Sequence, residues 1–274
     1  MSGASRDALE AARERLDALA DNTGVDAAAL AADLAAVTAL LDREASLRRV
    51  LTDPAQDGER KAGLIRGLLG GQAGGEAVDL VSGMVRSRWS SGRDLVDAVE
   101  ELADESELIA AERAGALDAV EDELFRFGRI VSTSPELRAA LTFRDESAAA
   151  AVAKAELIRR LLGGRTQQVT ERLITRLVER PRGRSLEAGL DALSSLAAAR
   201  RGRSVAVVTS AVPLTDQQRQ RLGDALTRLY GREIQLNLDV DPAVLGGISV
   251  RIGDEVIHGT VADRLDEIGR RLAG

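Results

Sequence analysis

The sequence predicts a mainly α-helical protein, in which an N-terminal helical bundle with a duplicated unit is followed by a small C-terminal α/β domain. Through about the first 200 residues, apolar side chains recur every three or four positions, as on the buried face of a helix. Aromatic residues make up only 2% of the chain, so its cores must be built from Leu, Ala, Val and Ile. After residue 203 the pattern changes to β-branched runs, which are typical of strands.

The first predicted helices have clear faces and ends. The segment 7–19 places its apolar residues on one stripe. Asp26 is placed to cap a second helix that runs to Leu41. A third, short helix includes 47–51 and stops before Pro54, because the residue before a proline disfavours helical backbone. These segments predict the beginning of a helical bundle.

An internal repeat organises the helical part of the chain. LRRVL from Leu47 recurs as LRAAL from Leu137, and LIRGLLGG from Leu64 recurs as LIRRLLGG from Leu157. Single residues that match in the same order are Lys61 with Lys154, Val81 with Ile174, Met84 with Leu177, and Leu95 with Leu186. Ordered matches of this kind predict a duplicated helical unit. The glycine pair that ends each longer match predicts a helix C-terminus rather than a phosphate loop.

The segment 94–130 lies between the two copies and contains no proline. Its apolar spacing fits one long helix that acts as a spacer, or two helices with a tight turn near Gly115, and both remain open. Arginine clusters at 180–184 and 200–203 are expected to be solvated charges of loops and helix ends, or a surface for an acidic partner. The expected domains are 1–103 and 104–203, the two helical units, and 204–274, the α/β domain.

The C-terminal region is predicted to form a strand, a helix, a second strand, a hairpin and a last helix. The β-branched run 204–211 precedes a capping box of Thr215 and Gln218. Alternating apolar residues at 234–238 predict the second strand, and a turn at 253–254 joins the strands of the hairpin. The apolar stripe of the last helix consists of Val261, Leu265, Ile268 and Leu272.

The composition limits the chemistry that the chain can perform. It has no cysteine and one histidine, His258, which argues against thiol nucleophiles, Cys/His zinc sites and Ser-His-Asp triads. The net charge of −7 argues against nucleic-acid binding. No apolar run reaches the roughly 20 residues that span a bilayer, so we expect no direct membrane insertion and no export signal. We also expect no catalytic residue, cofactor or metal ion; Gly246 and Gly247 enter a strand, which favours close backbone packing over phosphate binding.

Residues 205–268 resemble the C-terminal region of the ATP synthase delta subunit, the oligomycin-sensitivity-conferring protein family. The similarity consists of a strand ending in SA-x-P-L, a capped helix, and D-P-x-x-x-G-G leading into a strand and a Gly-Asp hairpin. The motif positions are Asp241, Pro242, Gly246, Gly247, Gly253, Asp254 and Gly259. His258 stands where an acidic residue is usual. The duplicated helical part resembles the long actinobacterial form of the family.

The resemblance implies a non-catalytic stator subunit of the peripheral stalk, located at the cytoplasmic face of the bacterial plasma membrane. In this family the helical domain grips the N-terminal helices of the alpha subunits, and the C-terminal domain binds the b-type stalk, so that rotation is coupled to ATP synthesis. Such contacts need apolar helix faces that accept a partner helix. The candidate interface residues are Leu9, Ala12, Leu16, Val261, Leu265, Ile268 and Leu272.

Two other function classes stay open. A helical adaptor unrelated to ATP synthase would explain the bundle but not the C-terminal motif. A small α/β enzyme with a helical regulatory arm would need a polar pocket with perturbed ionisable groups. The residues also leave open which helical unit grips the catalytic head.

Overall fold

A computed structural model describes residues 3–22, 24–143, 147–203, 205–230, 234–241, 247–252 and 255–260. Within these residues the chain forms twelve helices and four strands, and it divides into two compact units, Met1–Ala197 and Ala198–Gly274. The predicted fold class, mainly α with a small α/β region near the C-terminus, is confirmed.

Eleven described helices precede the first strand. They are α1 (Gly3–Asp21), α2 (Ala27–Arg43), α3 (Ala45–Thr52), α4 (Gly58–Leu69), α5 (Gly75–Arg86), α6 (Gly92–Arg113), α7 (Leu117–Thr133), α8 (Pro135–Thr142), α9 (Ala148–Leu162), α10 (Gln168–Glu179) and α11 (Leu186–Arg203). The Asp26 carboxylate accepts the N–H groups of Ala28 and Ala29 and so caps α2 as predicted. The third helix ends at Thr52, two residues before Pro54, also as predicted.

The duplication extends to individual side-chain hydrogen bonds. Arg48 of α3 donates to the carbonyl oxygens of Leu41 and Asp42 at the end of α2. Arg138 of α8, about 90 residues later, donates in the same way to Val131 and Ser132 of α7. In each copy an arginine therefore satisfies carbonyl groups that have no partner within their own helix.

The glycine pairs end α4 and α9 as predicted. Gly71 and Gly164, the second glycine of each pair, have left-handed backbone with φ of 77° and 73°. Glycine adopts this conformation without a steric penalty, which explains why both copies keep it.

One helix, α6, belongs to both copies. It is the last helix of the first copy. As the helix before α7, it also takes the place in the second copy that α1, the helix before α2, has in the first. Its Leu95, Val99 and Leu102 lie in the core of the first bundle, whereas Leu108 and Ala111 lie in the core of the second. It packs against α10 just as α1 packs against α5. The helical part is thus two six-helix bundles that share a helix.

The structure decides between the alternatives for residues 94–130. The chain turns at Gly115, which has a φ of 66°, so there are two helices and the single long helix is wrong. The domain boundary expected at 103–104 lies within α6. Ser91 and Ser185 cap α6 and α11 in the same way, and aligning these caps pairs Leu95 with Gly189. The predicted pairing of Leu95 with Leu186 is therefore wrong.

The second compact unit contains a sheet with strand order β2-β1-β3-β4. Its elements are β1 (Val205–Ser210), α12 (Asp216–Tyr230), β2 (Gln235–Val240), β3 (Gly247–Ile252) and β4 (Glu255–Thr260). The first two strands are parallel and are joined through α12, because a parallel pair needs a crossover connection. Both reciprocal hydrogen bonds of the predicted Thr215–Gln218 capping box are present. The predicted last helix lies outside the described residues.

Candidate functional site

The most distinctive polar arrangement is a group of ion pairs between α6 and α10, here called the charged seam, formed by Asp104, Glu107, Arg172 and Arg176. The Glu107 side chain is only 2% exposed and lies 2.6 Å from Nη2 of Arg172. Nε of Arg172 donates to both Glu107 oxygens at 3.0 Å. Arg176 lies 3.1 Å from Asp104 and 3.5 Å from Glu107. Guanidinium groups that bind carboxylates through two N–H groups in this way fix the relative position of two helices.

Burial shifts the ionisation of the charged seam. Removal from water raises the pKa of Asp104 to about 7, opposed by the positive charge of Arg176 and reinforced by the negative charges of Glu100 and Glu107. The hydrogen bond to Glu107 raises the pKa of Arg172. Structural ion-pair networks perturb pKa values as active sites do. Since the groups around Asp104 are the arginines and carboxylates of the same network, its perturbed pKa indicates packing rather than catalysis.

The loop between α10 and α11 extends this contact along α6. The Arg182 side chain is only 5% exposed and binds Asp97, at 2.9 Å, and Glu100. Arg184 also pairs with Glu100. The solvated charge predicted for this cluster is therefore wrong for Arg182, as it is for Arg200 of the second cluster, which is buried.

These pairs could have been anticipated from α6. Its acidic residues Asp97, Glu100, Asp104 and Glu107 recur at intervals of three and four, which places them on one helical face. Glu101 and Glu105 pair with Arg13 of α1 instead. The helix therefore offers carboxylates to both bundles.

The predicted interface residues fall into two groups. Leu9, Ala12 and Leu16 are buried in the core of the first bundle, and the chain's own helices account for that burial. Val261, Leu265, Ile268 and Leu272 lie outside the described residues.

The family-motif positions are described in part. Asp241 is exposed, and its N–H donates to the carbonyl of Ser210. Gly247 begins β3 with a φ of 83°, a left-handed backbone that favours glycine. Gly259 pairs with Ile248 across the hairpin of β3 and β4. Pro242, Gly246, Gly253 and Asp254 lie outside the described residues.

Metal-binding clusters and membrane-spanning helices are both absent from the described residues. These residues contain no group of three or more His, Cys, Asp and Glu side chains that could hold a metal ion. None of the helices that the structure describes is long and apolar enough to cross a bilayer.

Comparison with known proteins finds a matching family model and several similar chains. The model of the family described as ATP synthase delta (OSCP) subunit matches residues 106–272, which begin within α6. A protein of Streptomyces griseus named ATP synthase subunit delta is 72% identical over all of both chains, and one of Thermobifida fusca is 47% identical over all of both. A chain of the Toxoplasma gondii mitochondrial ATP synthase hexamer is 23% identical with a TM-score of 0.34, covering 64% of this chain and 97% of that one.

Proposed function

Because this chain belongs to the ATP synthase delta (OSCP) subunit family, we propose that it is a non-catalytic stator subunit of the proton-translocating ATP synthase. In this role it connects the alpha subunits of the catalytic head to the b-type peripheral stalk, at the cytoplasmic face of the plasma membrane. Full-length identity of 72% to a delta subunit supports the assignment, because both the helical and the α/β parts are covered.

The shared helix is the structural observation that supports a mechanical role. A stator must transmit force without bending, and bending between bundles usually occurs at a few residues of a connecting loop. Here α6 continues without interruption from Gly92 to Arg113 and contributes to both cores. The charged seam and the pairs of Arg182 fasten the second bundle to the same helix.

The second bundle is the better candidate for contact with the head. The family match starts at residue 106, so it covers this bundle and leaves most of the first outside. Two of the three phenylalanines of the chain are exposed on the second bundle, Phe125 at 59% and Phe143 at 65%. Large exposed apolar side chains are candidates for an interaction surface, and these two are the largest exposed apolar side chains described on this bundle.

The two sets of partner contacts predicted from the sequence differ in how well they fit this proposal. Contact through Leu9, Ala12 and Leu16 would require α1 to move away from the first core. We therefore assign the head contact to the second bundle, with Phe125 of α7 as its first candidate. Contact of Val261, Leu265, Ile268 and Leu272 with the stalk remains part of the proposal.

Affinity purification of the tagged full chain from gently solubilised membranes tests the proposal. We expect stoichiometric recovery of alpha, beta and b-type subunits. Phe125→Ser should reduce recovery of alpha while the b-type subunit is retained, and Leu265→Asp should have the opposite effect. Val212→Ser, a change of another exposed apolar residue, is the matched control. Recovery of the chain alone, or with an unrelated soluble partner, would refute the stator role and favour the adaptor.

A further inference from the structure

We propose that a basic cavity where the α10–α11 loop meets the first bundle, here called the α3–α6 cavity, binds a phosphoryl anion. It has a volume of about 510 Å³ and lies between α3 and the first turn of α6. Its lining includes Arg48, Arg49, Arg93 and Arg182, together with one carboxylate, that of Asp42. The volume lies within the range of roughly 300–1,000 Å³ that is typical of small-ligand sites.

For three of these arginines the described part of the chain provides no carboxylate partner. Arg48 donates to the carbonyl oxygens of Leu41 and Asp42, and Arg93 donates to that of Arg182. Carbonyl groups satisfy N–H donors but do not cancel a net charge. Arg49 is exposed, and none of the ion pairs among the described residues includes Arg48, Arg49 or Arg93. Arg182, in contrast, is paired with Asp97 and Glu100.

The second copy of the fold provides an internal control. Arg138 is the counterpart of Arg48, and there Nε lies 3.1 Å from a carboxylate oxygen of Glu187. The N-cap alignment makes Glu187 the counterpart of Arg93. The counterpart of Arg49 is Ala139. The same place in the fold is therefore neutralised in one copy and positively charged in the other.

The chemistry of the lining favours a phosphoryl group over a carboxylate. A phosphate monoester carries a charge of about −1.5 to −2 and three acceptor oxygens, which matches three guanidinium groups better than the single charge of a carboxylate does. Gly92, the first residue of α6, also lines the cavity, and the N–H groups at a helix start favour anions. The buried Nε of Arg182 has no hydrogen-bond partner in the structure.

Calorimetric titration of the full chain with pyrophosphate at low salt tests this site. We expect saturable binding to the wild type, and a loss of about tenfold or more in affinity for Arg93→Glu, since a charge-assisted contact contributes at least that factor. This variant reproduces the Arg138–Glu187 pair, so the fold should tolerate it. Asp42→Asn should bind more tightly, because it removes the one carboxylate among the described residues of the lining.

Arg126→Glu serves as the control, since it makes the same charge change at an exposed position of the second bundle. No saturable binding of pyrophosphate or of anionic vesicles to the wild type, or equal losses in Arg93→Glu and Arg126→Glu, would overturn the proposal. Co-sedimentation with phosphatidylglycerol vesicles, against phosphatidylcholine vesicles, identifies the source of the phosphoryl group. Vesicle binding that Arg93→Glu abolishes would assign a lipid headgroup, and pyrophosphate binding without vesicle binding would assign a soluble phosphate compound.

Discussion

The contact of α1 with α5 and the contact of α6 with α10 occupy the same place in the duplicated fold, but they differ in chemistry. In the first bundle, the two positions of α5 carry Asp79, which is exposed, and Gly83, where an added methyl group would collide with the guanidinium of Arg15. In the second, the corresponding residues of α10 are Arg172 and Arg176, which bind the carboxylates of α6.

The difference follows from the double role of α6. Its broad apolar face is already buried in the core of the first bundle through Leu95, Val99 and Leu102. The face that remains for α10 carries Asp104 and Glu107, so arginines complete the contact. A helix that serves two cores must divide its circumference, and here one part is apolar and another is charged.

The strongest test of the shared helix creates a cavity in the second core and follows unfolding with a probe in the first core. Leu173 of α10 is buried, and Leu173→Ala should lower the free energy of unfolding by about 2–5 kcal/mol. Trp89, the only tryptophan, lies in the first core and donates to the carbonyl of Met84 at 2.7 Å. The midpoint of urea unfolding followed by Trp89 fluorescence should shift by the same amount as the midpoint followed by circular dichroism. An unchanged fluorescence midpoint would mean that the two bundles unfold independently.

Removing one cation tests the charged seam itself. Arg176→Met keeps the aliphatic volume but leaves Asp104 without its arginine, so we expect a loss of about 1.5–3 kcal/mol of unfolding free energy. Arg160→Met, which removes an exposed pair with Glu156, should change the unfolding free energy by no more than about 0.5 kcal/mol. Chemical denaturation of both variants measures these two changes in unfolding free energy. Equal effects would show that the charged seam contributes no more than a surface pair.

The pH dependence of stability sharpens the same comparison. The folded-state pKa of Asp104 is about 7, above its usual value of 3.8, so the folded state favours the protonated carboxyl. Its contribution to stability is therefore fully present below about pH 4 and is lost as the pH rises through 7, with a slope of at most about 1.4 kcal/mol per pH unit. Unfolding of wild type and Asp104→Asn should be measured from pH 4.5 to 8. The stability of the wild type relative to the variant should fall across this range, and a constant difference would contradict the assignment.

The smallest effect concerns the equivalent N-caps of α6 and α11. Ser91 accepts the N–H of Asp94, and Ser185 accepts that of Ala188, both at 3.1 Å. Ser91→Ala and Ser185→Ala should each cost about 1 kcal/mol. If the bundles unfold together, thermal melts of the two variants will shift Trp89 fluorescence equally. A shift of fluorescence for Ser91→Ala alone would instead indicate separate units.

Local features of the fold could be predicted from the sequence because their causes are local. Asp26 and the Thr215–Gln218 pair fix helix starts through hydrogen bonds to nearby residues, and Gly71 and Gly164 fix helix ends through their backbone conformation. The duplication could be predicted because both copies keep the glycine pair and the segments that surround it. The sharing of α6 could not, because a repeat in sequence does not say whether its copies are separate or overlap.

The charged contacts were missed for a different reason. An arginine cluster beside glycine and proline, such as 180–184, predicts solvated charge because arginines are usually exposed. Arg182 is buried only because the acidic face of α6 lies opposite, a contact between residues more than 80 positions apart. The residues proposed for the stalk contact lie beyond the described part of the chain, so they remain predictions.

The shared helix also restricts how such a protein can be recombined between species. A chimaera joined inside α6 would take the two ends of that helix from different parents. Because Ile109 near its C-terminal end packs in the same core as Leu95 and Leu102, the junction would mix the packing residues of two parents in one core. The block that repeats along the chain is five helices long, from α2 to α6 and from α7 to α11. A further duplication would add another five helices and would use α11 as the next shared helix. Lengthening of this family by gene duplication would then proceed in steps of about 90 residues, as in other repeat proteins whose units complete one another.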